Sequence, residues 1–273
     1  FLIFNSHGGR LMVIVENLTK IFKLSRQQKR EMGEGFVGNT VDAVRDISFT
    51  CQPGRVFALL GPNGAGKTTT LRLIATMLKP TSGSISVAGF DTVQQSQDVR
   101  TNLGFLTGNT GLYDRLTPNE MVKYFADLHG LDRATFETQR DHFFRLLDME
   151  EFANRRIGKL STGMRQKVSI VRTIIHDPDV IVFDEPTNGL DVVTSRNIVR
   201  LIRDCKEAGK TVIFSTHRMG EVSLLSDDLA IVHQGKLCYN GTFEDFQDQM
   251  QTPSLEDEFI RLVEEESGQI LKD

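Results

Sequence analysis

A glycine-rich segment at residues 61–69, GPNGAGKTT, constrains the fold of this chain more than any other stretch. It follows the apolar run VFALL at residues 56–60 and precedes a helical pattern at residues 70–75. A strand, a glycine-rich turn and a helix in this order wrap backbone N–H groups around a phosphate. Glycines allow turns that a Cβ would block, and the N-terminus of the following helix favours an anion. The segment therefore predicts a nucleotide-binding loop.

Two side chains of this loop have separate expected roles. Lys67 is expected to reach the β- and γ-phosphates, and the Thr68 hydroxyl is expected to bind Mg²⁺. The alternative is a glycine turn that carries Lys-Thr by chance, which the full spacing and both flanks disfavour. The candidate nucleotide-binding residues are Gly61, Pro62, Asn63, Gly64, Ala65, Gly66, Lys67, Thr68 and Thr69.

Length and composition limit the class of protein. A chain of 273 residues can form one large α/β core with a subdomain. Its net charge of −4 argues against non-specific binding of nucleic acid. Cys51, Cys205 and Cys238 form no close pair, which predicts a reducing compartment without a disulfide framework or zinc site. No apolar run approaches the roughly 20 residues of a membrane helix. We therefore expect a cytosolic protein whose membrane role, if any, depends on a partner.

Hydrophobic periodicity predicts an α/β fold with a helical insertion. Apolar runs at residues 180–183, 211–214 and 229–232 are typical of buried strands in a mostly parallel sheet. The period becomes helical at about residues 116–175, where Thr117 and Glu120 form a predicted capping box. A polar tract between residues 23 and 40 is interpreted as a solvated loop rather than a surface for anionic lipid.

Two further motifs follow the phosphate-binding loop. VIVFDE at residues 180–185 is a strand that ends in two carboxylates, at the edge where α/β sheets bind ligands. Asp184 suits Mg²⁺, and Glu185 suits a general base for an attacking water, although both could be solvated charges. LSTGMRQ at residues 160–166 precedes a helix, and Ser161 taken alone could be its N-cap.

In this order the motifs resemble those of the ATP-binding subunits of ABC transporters, from residue 12 onward. Residues 61–69 are similar to Walker A, residues 160–166 to the ABC signature and residues 180–185 to Walker B. The PTNGLD segment that follows is similar to the approach to the D-loop, and the later STH run is similar to the switch histidine.

The resemblance implies a fold and a domain organisation. The expected fold is a P-loop NTPase (RecA-like) core with a mostly parallel sheet, an antiparallel β subdomain and an α-helical signature subdomain. The cassette would span residues 12–245, with the helical subdomain at about residues 108–175. Residues 246–273 would form a C-terminal helical tail, and residues 1–11 are expected to be a leader or vector-derived.

The resemblance also implies a dimer with two ATP molecules held between its subunits. Ser161 and Gly163 would contact the γ-phosphate bound by the second subunit, and Asp191 would lie at the dimer interface. His217 would hold the γ-phosphate and the attacking water. Phe22 matches an aromatic residue that stacks on adenine, with core packing as the alternative.

The chain departs from the family pattern in two places. Thr162 and Met164 replace a glycine and a glutamine of the signature, while Ser161 is retained. Gly108 occupies the glutamine position of the Q-loop, and we expect Asn109 or a water to supply the missing oxygen.

Residues 111–117 and the LSTGMRQK signature are similar to exporters that pair with separate ABC-2-type permeases. The insertion after Phe22 and the sequence FLTGNTGLYDRLT at residues 105–117 are similar to a sodium-extruding subfamily. The predicted function is therefore ATP hydrolysis that drives an ABC-2-type permease, with Na⁺ export as the process that the resemblance implies, by a peripheral subunit at the inner face of the cell membrane. Alternatives are an ATPase of a drug or lipid exporter, a soluble ABC ATPase of DNA repair or ribosomes, and an ATP-gated regulator. The single cassette disfavours the soluble ATPase, and Glu185 disfavours the regulator.

Overall fold

The computed structural model describes residues 12–25, 27, 38–107 and 111–268. The expected leader, most of the polar tract after Lys23, and the Q-loop candidates Gly108 and Asn109 lie outside the described residues.

The described residues form two β-sheets, and several of the strands coincide with the apolar runs of the sequence. The strands in chain order are β1 (Val13–Lys23), β2 (Thr40–Cys51), β3 (Val56–Leu60), β4 (Ser82–Val87), β5 (Phe90–Asp91), β6 (Leu103–Leu106), β7 (Val180–Asp184), β8 (Thr211–Thr216), β9 (Asp228–His233) and β10 (Lys236–Thr242).

The larger sheet has the order β10-β9-β3-β8-β7-β6 and is mostly parallel, as predicted. Strand β3 is parallel to β8 and β9, and β7 is parallel to β8 and β6, whereas β10 is antiparallel to β9. All residues of β3 and β7 are buried, and all except Asp184 at the end of β7 are apolar, as is typical of strands covered on both faces. The parallel arrangement brings the carboxyl ends of β3, β7 and β8 to one edge of the sheet.

The smaller sheet has the order β2-β1-β4-β5 and is antiparallel, which confirms the predicted β subdomain. Strand β2 is continuous over twelve residues but contains a non-glycine residue, Asp46, at φ 52°. The register between β1 and β2 shifts near this point, as a β-bulge requires. The rings of Phe49 and Phe57 stack with centroids 4.9 Å apart and join the two sheets.

Helices cover the sheets and form a separate group between β6 and β7. The predicted capping box of Thr117 and Glu120 is present. Phe143, Phe144 and Leu147 are buried in the core of this helical group. The helices are α1 (Lys67–Ile74), α2 (Ser96–Asn102), α3 (Pro118–Leu128), α4 (Arg133–Leu146), α5 (Thr162–Ile174), α6 (Val192–Glu207), α7 (Met219–Leu225), α8 (Phe243–Gln249) and α9 (Leu255–Ser267).

The last two helices pack on the larger sheet. Phe259 and Leu262 of α9 contact the apolar core, and Lys236 of β10 pairs with Glu266 at 2.6 Å. Among the described residues, no helix has both the length and the apolar character needed to cross a membrane.

Candidate nucleotide-binding site

The glycine-rich loop connects β3 to α1 through backbone conformations that require glycine. Gly64 and Gly66 have φ values of 81° and 108°. A Cβ built on Gly66 would lie 2.4 Å from the carbonyl oxygen of Ala43, and one on Gly61 would lie 2.3 Å from that of Val232. Because these neighbours are backbone atoms, the loop cannot accept a side chain at either position without moving.

Lys67 begins α1, and its ammonium group is folded against the loop. The residue is 4% exposed, and Nζ donates hydrogen bonds to the carbonyl oxygens of Gly61 at 2.6 Å and Pro62 at 3.1 Å. Burial lowers the pKa of Lys67, while Glu185 and Asp184 act in the opposite direction. Its charge is compensated only in part by Glu185, whose Oε1 lies 3.7 Å away. The ammonium is therefore placed to receive an anion at the mouth of the loop.

Asp184 ends β7 and lies beside the start of α1. Its Oδ1 accepts hydrogen bonds from Thr68 Oγ1 at 3.1 Å and from Ser215 Oγ at 2.6 Å, and the residue is 6% exposed. A hydroxyl and a carboxylate are hard oxygen donors of the kind Mg²⁺ prefers, together with phosphate and water. Thr68 and Asp184 therefore have the donor chemistry that fits a Mg²⁺ ion, and their role as metal ligands stays a prediction.

Glu185 occupies a strained position immediately after β7. Its φ is 49°, and its N–H is held by both Oγ and the carbonyl oxygen of Ser215 at 3.1 and 3.2 Å. Its Oε1 lies 3.1 Å from His217 Nδ1, and its Oε2 accepts a hydrogen bond from Asn188 Nδ2 at 2.9 Å. Non-glycine residues in this conformation are often held at functional sites. The carboxylate is thus oriented by two partners from different loops.

Two cavities open at this edge of the sheet. A cavity of about 420 Å³ is lined by the glycine-rich loop, Glu185, Gln234 and the start of β2, including Val41 and Arg45. Phe22 is not part of this lining, but it is the β-sheet partner of Val41. The second cavity, of about 330 Å³, is lined by Asn63, Thr68, Thr162, Gln166, Asp184, Glu185, Asn188 and Leu190.

Ser161, Gly163 and Asp191 lie together, on the side of the second cavity. Ser161 caps α5 by accepting a hydrogen bond from the N–H of Met164 at 3.3 Å, and Asp191 caps α6 through Thr194. Hydrogen bonds from the N–H and hydroxyl of Thr194 lower the pKa of Asp191. A Cβ on Gly163 would lie 3.8 Å from Asp191 Oδ2. None of the three lines either cavity, but Thr162, between Ser161 and Gly163, lines the second cavity together with Thr68 of the glycine-rich loop.

Sequence reasoning did not identify two polar side chains that organise the site. The Ser215 hydroxyl donates a hydrogen bond to Asp184 and accepts one from the N–H of Glu185. The Asn188 side chain donates a hydrogen bond to the Glu185 carboxylate. Both residues belong to motifs that the sequence already showed, STH and PTNGLD. The motifs give their positions along the chain but not the direction in which each side chain points.

The parallel sheet, the glycine-rich loop and the two carboxylates after β7 define a P-loop nucleoside triphosphatase. A family model for the ABC transporter matches residues 44–188, which is more than half of the chain. The chain belongs to the ABC transporter family and is an ATP-binding subunit with ATPase activity.

Individual proteins agree with this assignment. The chain is 47% identical over 205 residues to the ABC transporter ATP-binding protein NatA of Bacillus subtilis, covering 75% of this chain and 83% of NatA. A solved ATP-binding subunit of an ABC transporter superposes with a TM-score of 0.79 at 26% identity, over 92% of this chain and 99% of its own. A dimeric ATP-binding cassette solved in a post-hydrolysis state with ADP and Pi shares the fold, with a TM-score of 0.73 at 24% identity over 84% and 98% of the two chains.

Proposed function

We propose that two copies of this chain close around two MgATP and that ATP hydrolysis drives a separate ABC-2-type permease that exports Na⁺. The observation that carries the proposal is the arrangement of Lys67, Asp184, Glu185 and His217 around one edge of the sheet. A cationic anchor, a metal-ligand pair and an oriented base are the parts that phosphoryl transfer to water needs.

Substrate binding is assigned to the loop and to two oxygen donors. The loop N–H groups and Lys67 hold the β- and γ-phosphates. Thr68 and Asp184 would hold Mg²⁺, which neutralises charge on the phosphate oxygens when bound. Phe22 is assigned to the adenine, a position that its pairing with the cavity residue Val41 supports.

Hydrolysis is assigned to Glu185 and His217. The Glu185 carboxylate accepts a proton from the water that attacks the γ-phosphorus, and Asn188 keeps that carboxylate turned towards the site. His217 contacts Oε1 of Glu185 at 3.1 Å, so it can hold the γ-phosphate and the water while the base acts.

A dimer would complete the site from a second copy. Ser161 and Gly163 at the N-terminus of α5 are assigned to the γ-phosphate held by the other subunit, because helix N-termini favour anions. Asp191 is assigned to the interface beside them, next to Gly163. The similarity in fold to a cassette solved as a dimer with ADP and Pi supports this assembly.

The transport step is proposed from similarity. The resemblance of residues 105–117 to sodium-extruding cassettes favours Na⁺ over a drug or lipid. The 47% identity to NatA, an ABC transporter ATP-binding protein, supports a role in transport. The chain would act at the inner face of the cell membrane through its permease, which would select the cargo.

A transport assay tests the proposal. The tagged chain should co-purify with a multi-span membrane protein, and the pair in sealed vesicles should move ²²Na⁺ only with MgATP. A Lys67→Ala pair should assemble but not transport. Transport of a hydrophobic drug or a lipid without Na⁺ flux would favour the alternative exporter. Failure of the tagged chain to co-purify with any multi-span membrane protein would contradict the exporter assignment.

A further inference from the structure

Glu221 of α7 lies where the two segments that carry Glu185 and His217 approach each other. Its carboxylate accepts a hydrogen bond from Thr187 Oγ1 through Oε1 and another from Thr216 Oγ1 through Oε2 at 2.7 Å. Thr187 is 3% exposed and Thr216 is 2% exposed. The Glu221 carboxylate therefore joins α7 to the end of β8, five residues earlier, and to the segment after β7, 34 residues earlier.

Each threonine is tied to one member of the Glu185–His217 pair. Thr187 follows Glu185 by two residues, and the N–H of Asn188 closes that turn on the Glu185 carbonyl oxygen at 3.2 Å. Thr216 directly precedes His217, and its hydroxyl oxygen also accepts a hydrogen bond from the N–H of Arg218 at 3.0 Å. Glu221 thus restrains the loop on each side of the 3.1 Å contact between Glu185 and His217.

The charge of Glu221 has local partners. Arg218 Nη1 lies 3.1 Å from Oε1 of Glu221, whose side chain is 13% exposed. Hydrogen bonds to a charged acceptor are stronger than neutral ones, so two threonine hydroxyls are held firmly by one carboxylate. A neutral side chain at position 221 could not accept from both threonines through two equivalent oxygens.

We propose that Glu221 is a positioning residue, which fixes the general base Glu185 and His217 relative to each other. This inference rests on the proposed roles of that pair. Glu221 contacts neither the glycine-rich loop nor Asp184 through any hydrogen bond or ion pair described between residues 38–107 and 111–268. Its loss should therefore affect the chemical step more than nucleotide binding.

The test is ATP hydrolysis by the full chain with MgATP, alongside nucleotide Kd and thermal stability. We expect Glu221→Ala to lower kcat by roughly 10- to 100-fold, because small misplacements of reacting groups cost this much. The Kd for ATP should change by less than about threefold. Thr187→Val and Thr216→Val each remove one hydroxyl at constant shape, and each should lower kcat by a smaller factor.

Glu258→Ala is the matched control. Like Glu221, Glu258 accepts a hydrogen bond from a threonine hydroxyl, that of Thr252, and pairs with an arginine three residues away, Arg261. It lies in α9 and is 2% exposed. This variant should lower stability and leave kcat per folded molecule unchanged. If Glu221→Ala does not fold, Glu221→Gln and the two valine variants carry the same test.

Glu185→Gln and His217→Ala provide the reference in the same assay. If both lose turnover while folded Glu221→Ala and both valine variants keep kcat within twofold, the inference about Glu221 is overturned and the proposed function stands. An equal fall in kcat for Glu258→Ala would also overturn it. If Glu185→Gln keeps wild-type turnover, the proposed function fails first.

Discussion

The imidazole Nδ1 of His217 lies 3.1 Å from Oε1 of Glu185, although 32 positions separate the two residues. Strand register explains the contact. Asp184 of β7 is the direct partner of Ser215 of β8, so the residues that follow these strands emerge at the same edge of the sheet. Leu60 of β3 is the partner of Thr216, which places the glycine-rich loop at that edge too. Parallel pairing of three strands therefore assembles the site.

Replacement of Asp184 should weaken the use of Mg²⁺. We expect Asp184→Asn to raise the Mg²⁺ concentration for half-maximal turnover by roughly tenfold or more, because a neutral amide is a poorer ligand for a hard cation. Ser215→Ala, which removes a hydrogen bond to Asp184, should produce a smaller shift of the same sign. The measurement is ATPase activity over a Mg²⁺ titration, with Asp132→Asn at the N-cap of α4 as the control. Unchanged Mg²⁺ dependence in Asp184→Asn would remove this residue from the metal site.

A side chain at Gly66 should destabilise the protein. Gly66→Ala places a Cβ at φ 108° and 2.4 Å from the Ala43 carbonyl oxygen, so we expect a loss of about 3 kcal/mol from the free energy of unfolding. Gly220 in α7 has no neighbour within 4 Å of a built Cβ, and Gly220→Ala should be neutral or stabilise by up to about 1 kcal/mol. Urea denaturation compares the two. Equal stabilities for these variants would contradict the described loop geometry.

Stability should fall in acid because of His176. The pKa of His176 is lowered from 6.5 to about 3, chiefly by burial and to a smaller extent by the neighbouring His129. The rings of the two histidines stack with centroids 3.7 Å apart. As the pH falls from 6.5 towards 3, the unfolded chain binds a proton at His176 that the folded chain does not bind. The free energy of unfolding should therefore decrease by up to about 1.4 kcal/mol per pH unit from this group.

The variant His176→Phe isolates that contribution. It keeps an aromatic ring beside His129 but cannot be protonated, so its stability should fall less steeply below pH 6.5. Above pH 7, His176 is largely neutral in both the folded and the unfolded chain. The difference in free energy of unfolding between the variant and the wild type should therefore be constant there. Chemical denaturation at several pH values measures both slopes. Parallel curves through the acid range would show that His176 is not the source.

The sequence predicted the elements whose signal is local. The apolar runs that became β3, β7, β8 and β9 are buried strands, and Thr117 caps α3 as its spacing with Glu120 indicated. The glycine-rich loop was predictable because its conformation requires glycine at positions such as Gly64 and Gly66, and this spacing of glycines is rare outside phosphate-binding loops. The class of nucleotide-binding fold followed from these features.

The remaining features depend on tertiary contacts. The end of β1 could not be predicted from the local pattern, because a polar tract begins at Lys23. The strand extends to Lys23 because each of its residues from 20 to 23 has a pairing partner in β2. The positive φ of Glu185 is set by its hydrogen bonds to Ser215, which no local pattern encodes. In the sequence, Glu221 cannot be distinguished from other polar residues of a surface helix. Its two hydrogen bonds from threonine hydroxyls exist only in the folded chain. Roles in a dimer stay predictions because they depend on a second copy.

Sharing of ATP between two copies of this chain can be measured through the mass of a hydrolysis-deficient variant. Glu185→Gln removes the base while keeping the shape of the side chain, so ATP should bind and persist. Light scattering after gel filtration should give twice the mass of one chain with MgATP and the mass of one chain without nucleotide. Ser161→Arg in the same background should prevent the dimer. A monomer at saturating MgATP, with ATP bound, would contradict the account.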